Sequence, residues 1–170
     1  MSIAHPKSIC VRELELEDLP TVYALGESVF TADKWPSLYR TWDEYEPVSL
    51  FYSDGEFCFV AERDDRVVGF ALGSLIDKRK SAWSYGYLTW IAVDPTLKRM
   101  GVATQLVDAI TEAFIRAGAR MMIVDTDAEN ATAISFFRRH GFGHEDRHVY
   151  LSKNLTGHPD YRRLRRHHRD

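Results

Sequence analysis

Residues 90–104, Trp-Ile-Ala-Val-Asp-Pro-Thr-Leu-Lys-Arg-Met-Gly-Val-Ala-Thr, join an apolar run, a proline-broken turn and a basic, glycine-containing loop that opens into a helix. A loop of this kind presents free backbone N–H groups and the positive end of the helix dipole, and the two together bind anions. Lys98 and Arg99 add charge of the matching sign. The chemistry this supports is a cradle for a phosphate or pyrophosphate. The chain has no Gly-x4-Gly-Lys-Ser/Thr and no Gly-x-Gly-x-x-Gly, so neither a P-loop nor a dinucleotide fingerprint explains it. The plainer alternative is that Gly101 only lets a helix pack closely on a sheet.

Other reactive residue types point to no second site. His140, His144 and His148 are spaced by four, but Gly141 and Gly143 interrupt any helix that would align them, so no metal site is expected. Cys10 and Cys58 lie on separate expected strands and read as buried small hydrophobes rather than a disulfide or a nucleophile.

The elements that must position the cradle follow from periodicity. Ser8 to Leu14 reads as a strand, and Glu17-Asp-Leu-Pro20 caps a helix carrying Leu19, Val22, Leu25, Val29 and Phe30, with Gly26 its weak point. In 31–56, Trp35, Tyr39, Trp42 and Tyr45 alternate with acids; a loop and a short helix near 44–53 are expected, since Pro47 forbids a continuous one. Phe57–Glu62 and Val67–Ile76 around Arg63-Asp-Asp-Arg66 predict a hairpin. Ser84–Val93 reads as a central strand, with Tyr85, Tyr87, Thr89, Ile91 and Val93 on one face and Leu88, Trp90 and Ala92 on the other. An amphipathic helix runs from the cradle to Gly118, a short strand covers Met121–Asp125, and Asn130 caps a helix to His140. Two closing strands are expected, one from Phe142 onward and one over Arg147 to Leu155. The resulting order, β, α, α, β, β, β, α, β, α, β, β, predicts an α/β sheet of mixed direction covered by helices.

The chain has 170 residues, 45% hydrophobic and 28% charged, which suits one domain, taken as 1–155, followed by a basic tail, 156–170. Residues 153–170 hold six Lys/Arg and two acids, so the formal charge of −3 hides a body with 16 basic and 23 acidic residues. No apolar run approaches the roughly 18 residues of a membrane span and the start lacks a signal-peptide plan, so a cytoplasmic protein with no membrane partner is expected.

Val93-Asp-Pro95 with Lys98-Arg-Met-Gly101-Val-Ala103 resembles the acyl-CoA motif of the GNAT acetyltransferase superfamily. Asn130-Ala-Thr-Ala133 through Phe136-Phe137 to Gly141-Phe142 resembles the same family's downstream Asn-x-x-Ala…Gly-Phe pattern, at the usual spacing. The resemblance covers residues 9–155. It implies a mixed, mostly antiparallel sheet whose parallel central pair splays apart, so that the pantetheine arm of acetyl-CoA bonds near Ala92 and Val93. The pyrophosphate would then meet Lys98, Arg99, Met100, Gly101, Val102, Ala103 and Thr104, with Asn130 and Phe137 alongside.

Acetyl transfer to an amine needs a base, a polarised thioester carbonyl and an acid for the leaving thiolate. The resemblance places the base at Asp125, five residues before Asn130, where ribosomal-protein alanine acetyltransferases carry Glu; a loop-capping Asp is the other reading. Tyr87 stands where other members keep a Glu base. The family's usual thiolate acid is a Tyr seven residues after the Asn, and this chain departs from it with Phe137. Tyr87 and Tyr150 are the substitutes available. Trp35, Tyr39, Trp42, Tyr45 and Tyr85 are expected to wall a pocket for a cationic amine.

The expected function is therefore direct transfer of acetyl from acetyl-CoA, with no metal, to a small cationic amine or a protein N-terminus or lysine. The competing reading is a catalytically silent acyl-CoA-binding module. A homodimer is left open, and nucleic acid is disfavoured although the Arg-rich tail keeps it open.

Overall fold

The computed structural model describes residues 8–31, 40–77, 83–146 and 148–167. Five strands form one sheet in sequence order: β1 (Cys10–Glu13), β2 (Cys58–Arg63), β3 (Arg66–Asp77), β4 (Ser84–Val93) and β5 (Met121–Val124). The first four are antiparallel neighbours and β5 runs parallel to β4, which is the mixed sheet expected. The β2–β3 hairpin turns on Asp64 and Asp65, with φ of 55° and 57°; two left-handed residues match the twist of the strands they join.

The helices are α1 (Leu19–Val29), α2 (Tyr45–Asp54), α3 (Val102–Arg116), α4 (Ala131–Arg139) and α5 (Pro159–His167). Alternation along β2 divides the core. Phe59 and Ala61 face α3 with Leu106, Val107, Ile110 and Phe114, while Cys58 and Val60 face the side holding α1 and Trp42. Each fully buried large side chain here contributes about 1.5–3 kcal/mol relative to exposure.

Local chemistry explains the helix starts. Pro47 falls in the first turn of α2, where its missing N–H costs nothing, and the cap is Asp43, whose Oδ1 accepts from Tyr45 N at 2.9 Å and Glu46 N at 3.2 Å. Gly26, the weak point by propensity, is where the Trp42 indole rests on α1. A Cβ there would lie 2.1 Å from Trp42 Cε2. The glycine thus gives up helix propensity so that the indole can pack.

Three expectations are corrected. Leu72 pairs with Trp90 while Gly73 pairs with Leu88, so Thr89 is an extra residue in β4. The bulge reverses the alternation: Leu88 joins the α3-side core, whereas Trp90 and Ala92 join the α1 side. A strict period of two cannot register an inserted residue. Second, no strand forms beyond Phe142 among the described residues; Val149, Tyr150 and Leu151 are exposed. That apolar run is only three residues long, between His148 and Ser152-Lys-Asn154, and offers little to bury. Third, Cys10 is exposed rather than buried, while Cys58 is buried and burial pushes its thiol up to about 12.

Candidate active site

The pairing of β4 with β5 ends at Leu88 opposite Val124. From the Thr89 bulge onward β4 has no β5 partner, so the sheet opens there and the edge of β4 from Trp90 to Val93 is left without a strand neighbour on that side. A cavity of about 470 Å³ lies at this opening. Its walls include Thr89, Trp90 and Ile91 of β4, Asp125 just after β5, Asn130, Ala133 and Phe137 at α4, and Trp42.

Past Val93, the Asp94 side chain accepts from Thr96 N at 2.8 Å and Thr96 Oγ1 at 2.7 Å, fixing the turn that carries Lys98 and Arg99 outward. Those two hydrogen bonds hold the Asp94 carboxyl below its ordinary value. Arg99 and Gly101 are left-handed, with φ of 67° and 78°. At Gly101 an added Cβ would meet nothing within 4 Å, so glycine is favoured by conformation and not by crowding. No side chain caps α3, so the N–H groups of its first turn have no side-chain acceptor at the cap, and Lys98, Arg99 and Met100 just before it are exposed. Val102 is buried and anchors this turn to the core, and Ala103 is half-buried.

Helix α4 ties the cradle to the cavity. Asn130 Oδ1 accepts from Ala133 N at 3.1 Å, and its amide donates to Thr126 Oγ1 at 3.1 Å. Phe137 is buried against Phe136 and Phe142. Just past the helix, His140 joins Phe136 O at 2.8 Å and Thr104 Oγ1 of the α3 first turn at 3.1 Å. One helix therefore lines the cavity at its start and reaches the cradle at its end.

On the other side, Tyr87 donates to Asp125 Oδ1 at 2.5 Å and accepts from Arg40 Nη2. Arg40 Nη2 also donates to Asp125 Oδ1 at 3.1 Å, and its Nη1 donates to Thr89 O at 2.7 Å. Burial, and then the bond to Asp125, raise Tyr87 above the ordinary phenol range. Glu27, Asp125 and Asp127 against Arg40 leave the cavity walls net acidic.

Trp42, Asp125, Asn130 and Phe137 of the residues singled out by sequence thus meet at the cavity, and Tyr87 is bonded to two of its lining residues. Ala92 is buried and Val93 half-buried, both on the opened edge of β4. Trp42 is also a core residue, stacked on Phe70. Tyr45 is 71% exposed on α2, and Tyr85 pairs across the sheet with Ile76; neither lines the cavity. Tyr150 is exposed and does not line it either. Trp35 and Tyr39 lie outside the described residues. Arg40, Glu27, Thr89 and the His140–Thr104 contact were missed. Only Arg40 carried a signal, as a cation inside an aromatic and acidic segment. Among the described residues no group of His, Cys, Asp and Glu could hold a metal ion.

The opened parallel strand pair leads into a helix with no side-chain cap, and the cavity lies at the opening. The acetyltransferase (GNAT) family model matches residues 27–142, and the chain belongs to that family. N-alpha-acetyltransferase 30 of Schizosaccharomyces pombe is 31% identical over 87 residues, 51% of this chain and 57% of that protein. The Homo sapiens N-alpha-acetyltransferase 30 is 28% identical over 145 residues, 80% of this chain and 39% of that protein. The chain thus spans well under two thirds of the length of these relatives. An aminoglycoside N-acetyltransferase in complex with CoA shares the fold, with a TM-score of 0.67 at 22% identity, covering 90% of this chain and 99% of that one.

Proposed function

We propose that the protein transfers an acetyl group from acetyl-CoA directly to a primary amine. The observation that carries this is the placement of Asp125 and the open edge of β4 on one cavity that α4 links to an uncapped cradle. The fit to acetyl-CoA rests on that cradle: free first-turn amides, left-handed Gly101 and two exposed cations suit a pyrophosphate. Each charge at a helix end contributes only about 0.3–1 kcal/mol, so several amides must act together. Ala92 and Val93 would offer backbone to the pantetheine, Phe137 an apolar wall.

The bound coenzyme supplies an activated acetyl thioester. Asp125 takes the proton of the incoming ammonium. Tyr87, kept neutral by its raised pKa, gives its phenol proton to the leaving sulfur and regains one from Asp125 through their hydrogen bond. The second proton of the amine nitrogen leaves to water as the amide forms, so the relay restores both residues and assigns Tyr87 the acid role that Phe137 cannot fill. No cysteine lines the cavity and the Cys58 thiol is held protonated, which favours direct transfer over an acetylated enzyme. Trp42 and the net acidic walls suit a cationic acceptor, as a protein N-terminus or a small amine would be. A cytoplasmic setting fits this reading, and among the described residues no helix is long and apolar enough to cross a membrane.

Phe137 keeps a second reading in play, a silent acyl-CoA-binding module. Thiol release from acetyl-CoA against a broad amine panel separates the two. Release above background with any primary amine is expected, and tight CoA binding without release would favour the silent module.

A further inference from the structure

The guanidinium of Arg40 sits among groups suited to a cation. It donates to the Asp125 carboxylate at 3.1 Å, to the Thr89 carbonyl at 2.7 Å and to the Tyr87 phenol oxygen. Its central carbon lies 5.3 Å from the Trp90 ring centroid and 5.4 Å from that of Tyr87. A carboxylate, a carbonyl, a phenol oxygen and two aromatic faces make a cation cage. These groups belong to β4 or to the residue after β5, held by the sheet, whereas Arg40 enters from the loop ahead of α2. The bulge at Thr89 and the end of β4–β5 pairing leave the Thr89 carbonyl without a β5 partner, so the cage is a product of the opened sheet and not of Arg40 itself.

We propose that Arg40 is an internal stand-in for the acceptor's ammonium, occupying its subsite at Asp125, Thr89 and Trp90 until a cationic amine displaces it. The ligand class is a primary ammonium or alkylguanidinium on a slender stem. The inference rests on the transferase reading for its purpose, but the cage exists without it. While Arg40 is seated, its charge and hydrogen bond occupy the Asp125 oxygen that must accept the substrate's proton. Displacement of Arg40 exposes that oxygen to the arriving amine, so the ligand gains the contact that Arg40 gives up. Arg40 is then a positioning and gating residue, competing with substrate and not assisting it.

The test measures ethylguanidinium binding to the full chain without acetyl-CoA, by calorimetry or NMR, in wild type, Arg40→Met and Arg40→Met with Asp125→Asn. Methionine keeps an apolar stem without the charge; should that variant fail to fold, Arg40→Gln is read by the same criterion. The expected result is binding about tenfold tighter on loss of Arg40, returning to the wild-type level or weaker once Asp125 is neutralised. A gain of less than threefold, or weaker binding, overturns the stand-in and marks Arg40 as a support for Asp125 and Tyr87. A gain that persists in the double variant overturns the assignment of the subsite. Thiol release, measured separately, reports on the transferase reading: tighter binding without acetyl transfer would leave the cage standing and remove the enzyme.

Discussion

The cradle and the acceptor side of the cavity are built in opposite ways. The proposed cradle is one continuous stretch, Val93 to Thr104, and its proposed role rests on backbone amides and on the left-handed conformations at Arg99 and Gly101. The acceptor side is assembled from distant residues: Arg40 meets Asp125 across 85 positions of sequence, and Trp42 serves the core and the cavity at once. A continuous backbone device can be altered without touching the other half of the site. An assembled one has residues that answer to folding and to chemistry together.

The largest effect tests the acceptor half. Asp125→Asn should lower kcat for acetyl transfer by about 10²–10⁴-fold, the range for losing a general base, while CoA affinity by calorimetry stays within twofold. Equal loss of both would break the separation between the halves. Next, Gly101→Val forces a β-branched residue to φ of 78°, which costs about 1–3 kcal/mol. Because the bound loop must hold that conformation, the KM for acetyl-CoA should rise about fivefold to 100-fold at constant amine KM, each 1.4 kcal/mol being a factor of ten. A change confined to the amine KM would mean the cradle is misassigned. The smallest effect sharpens the comparison at α4, which touches both halves. Asn130→Ala removes the bond to Ala133 N and should cost about 1 kcal/mol in thermal unfolding, with modest rises in both KM values.

The same contrast governs what the sequence discloses. The loop that opens into α3, the hairpin at Asp64-Asp65 and the α4 cap at Asn130 are local, each set by a few neighbouring residues, and their geometry was legible. The Thr89 bulge was not, because an inserted residue leaves the alternation of residue types intact while reversing which face they meet. Arg40 was missed for a different reason: its partners, Tyr87, Thr89 and Asp125, come from two other elements, and no spacing rule connects them. Tyr45 and Trp42 were indistinguishable by type, yet α2 turns one to solvent while Gly26 admits the other to the core. The strands expected beyond Phe142 were read from β-branched and aromatic types alone, and three consecutive apolar residues do not make a buried face.

Direct transfer requires both halves of the site to be filled together, and initial rates of thiol release with acetyl-CoA and amine varied jointly measure that. Direct transfer predicts double-reciprocal lines that intersect, whatever the amine. Parallel lines, the mark of an acetylated enzyme released before the amine binds, would contradict it, as would the absence of any amine-dependent release.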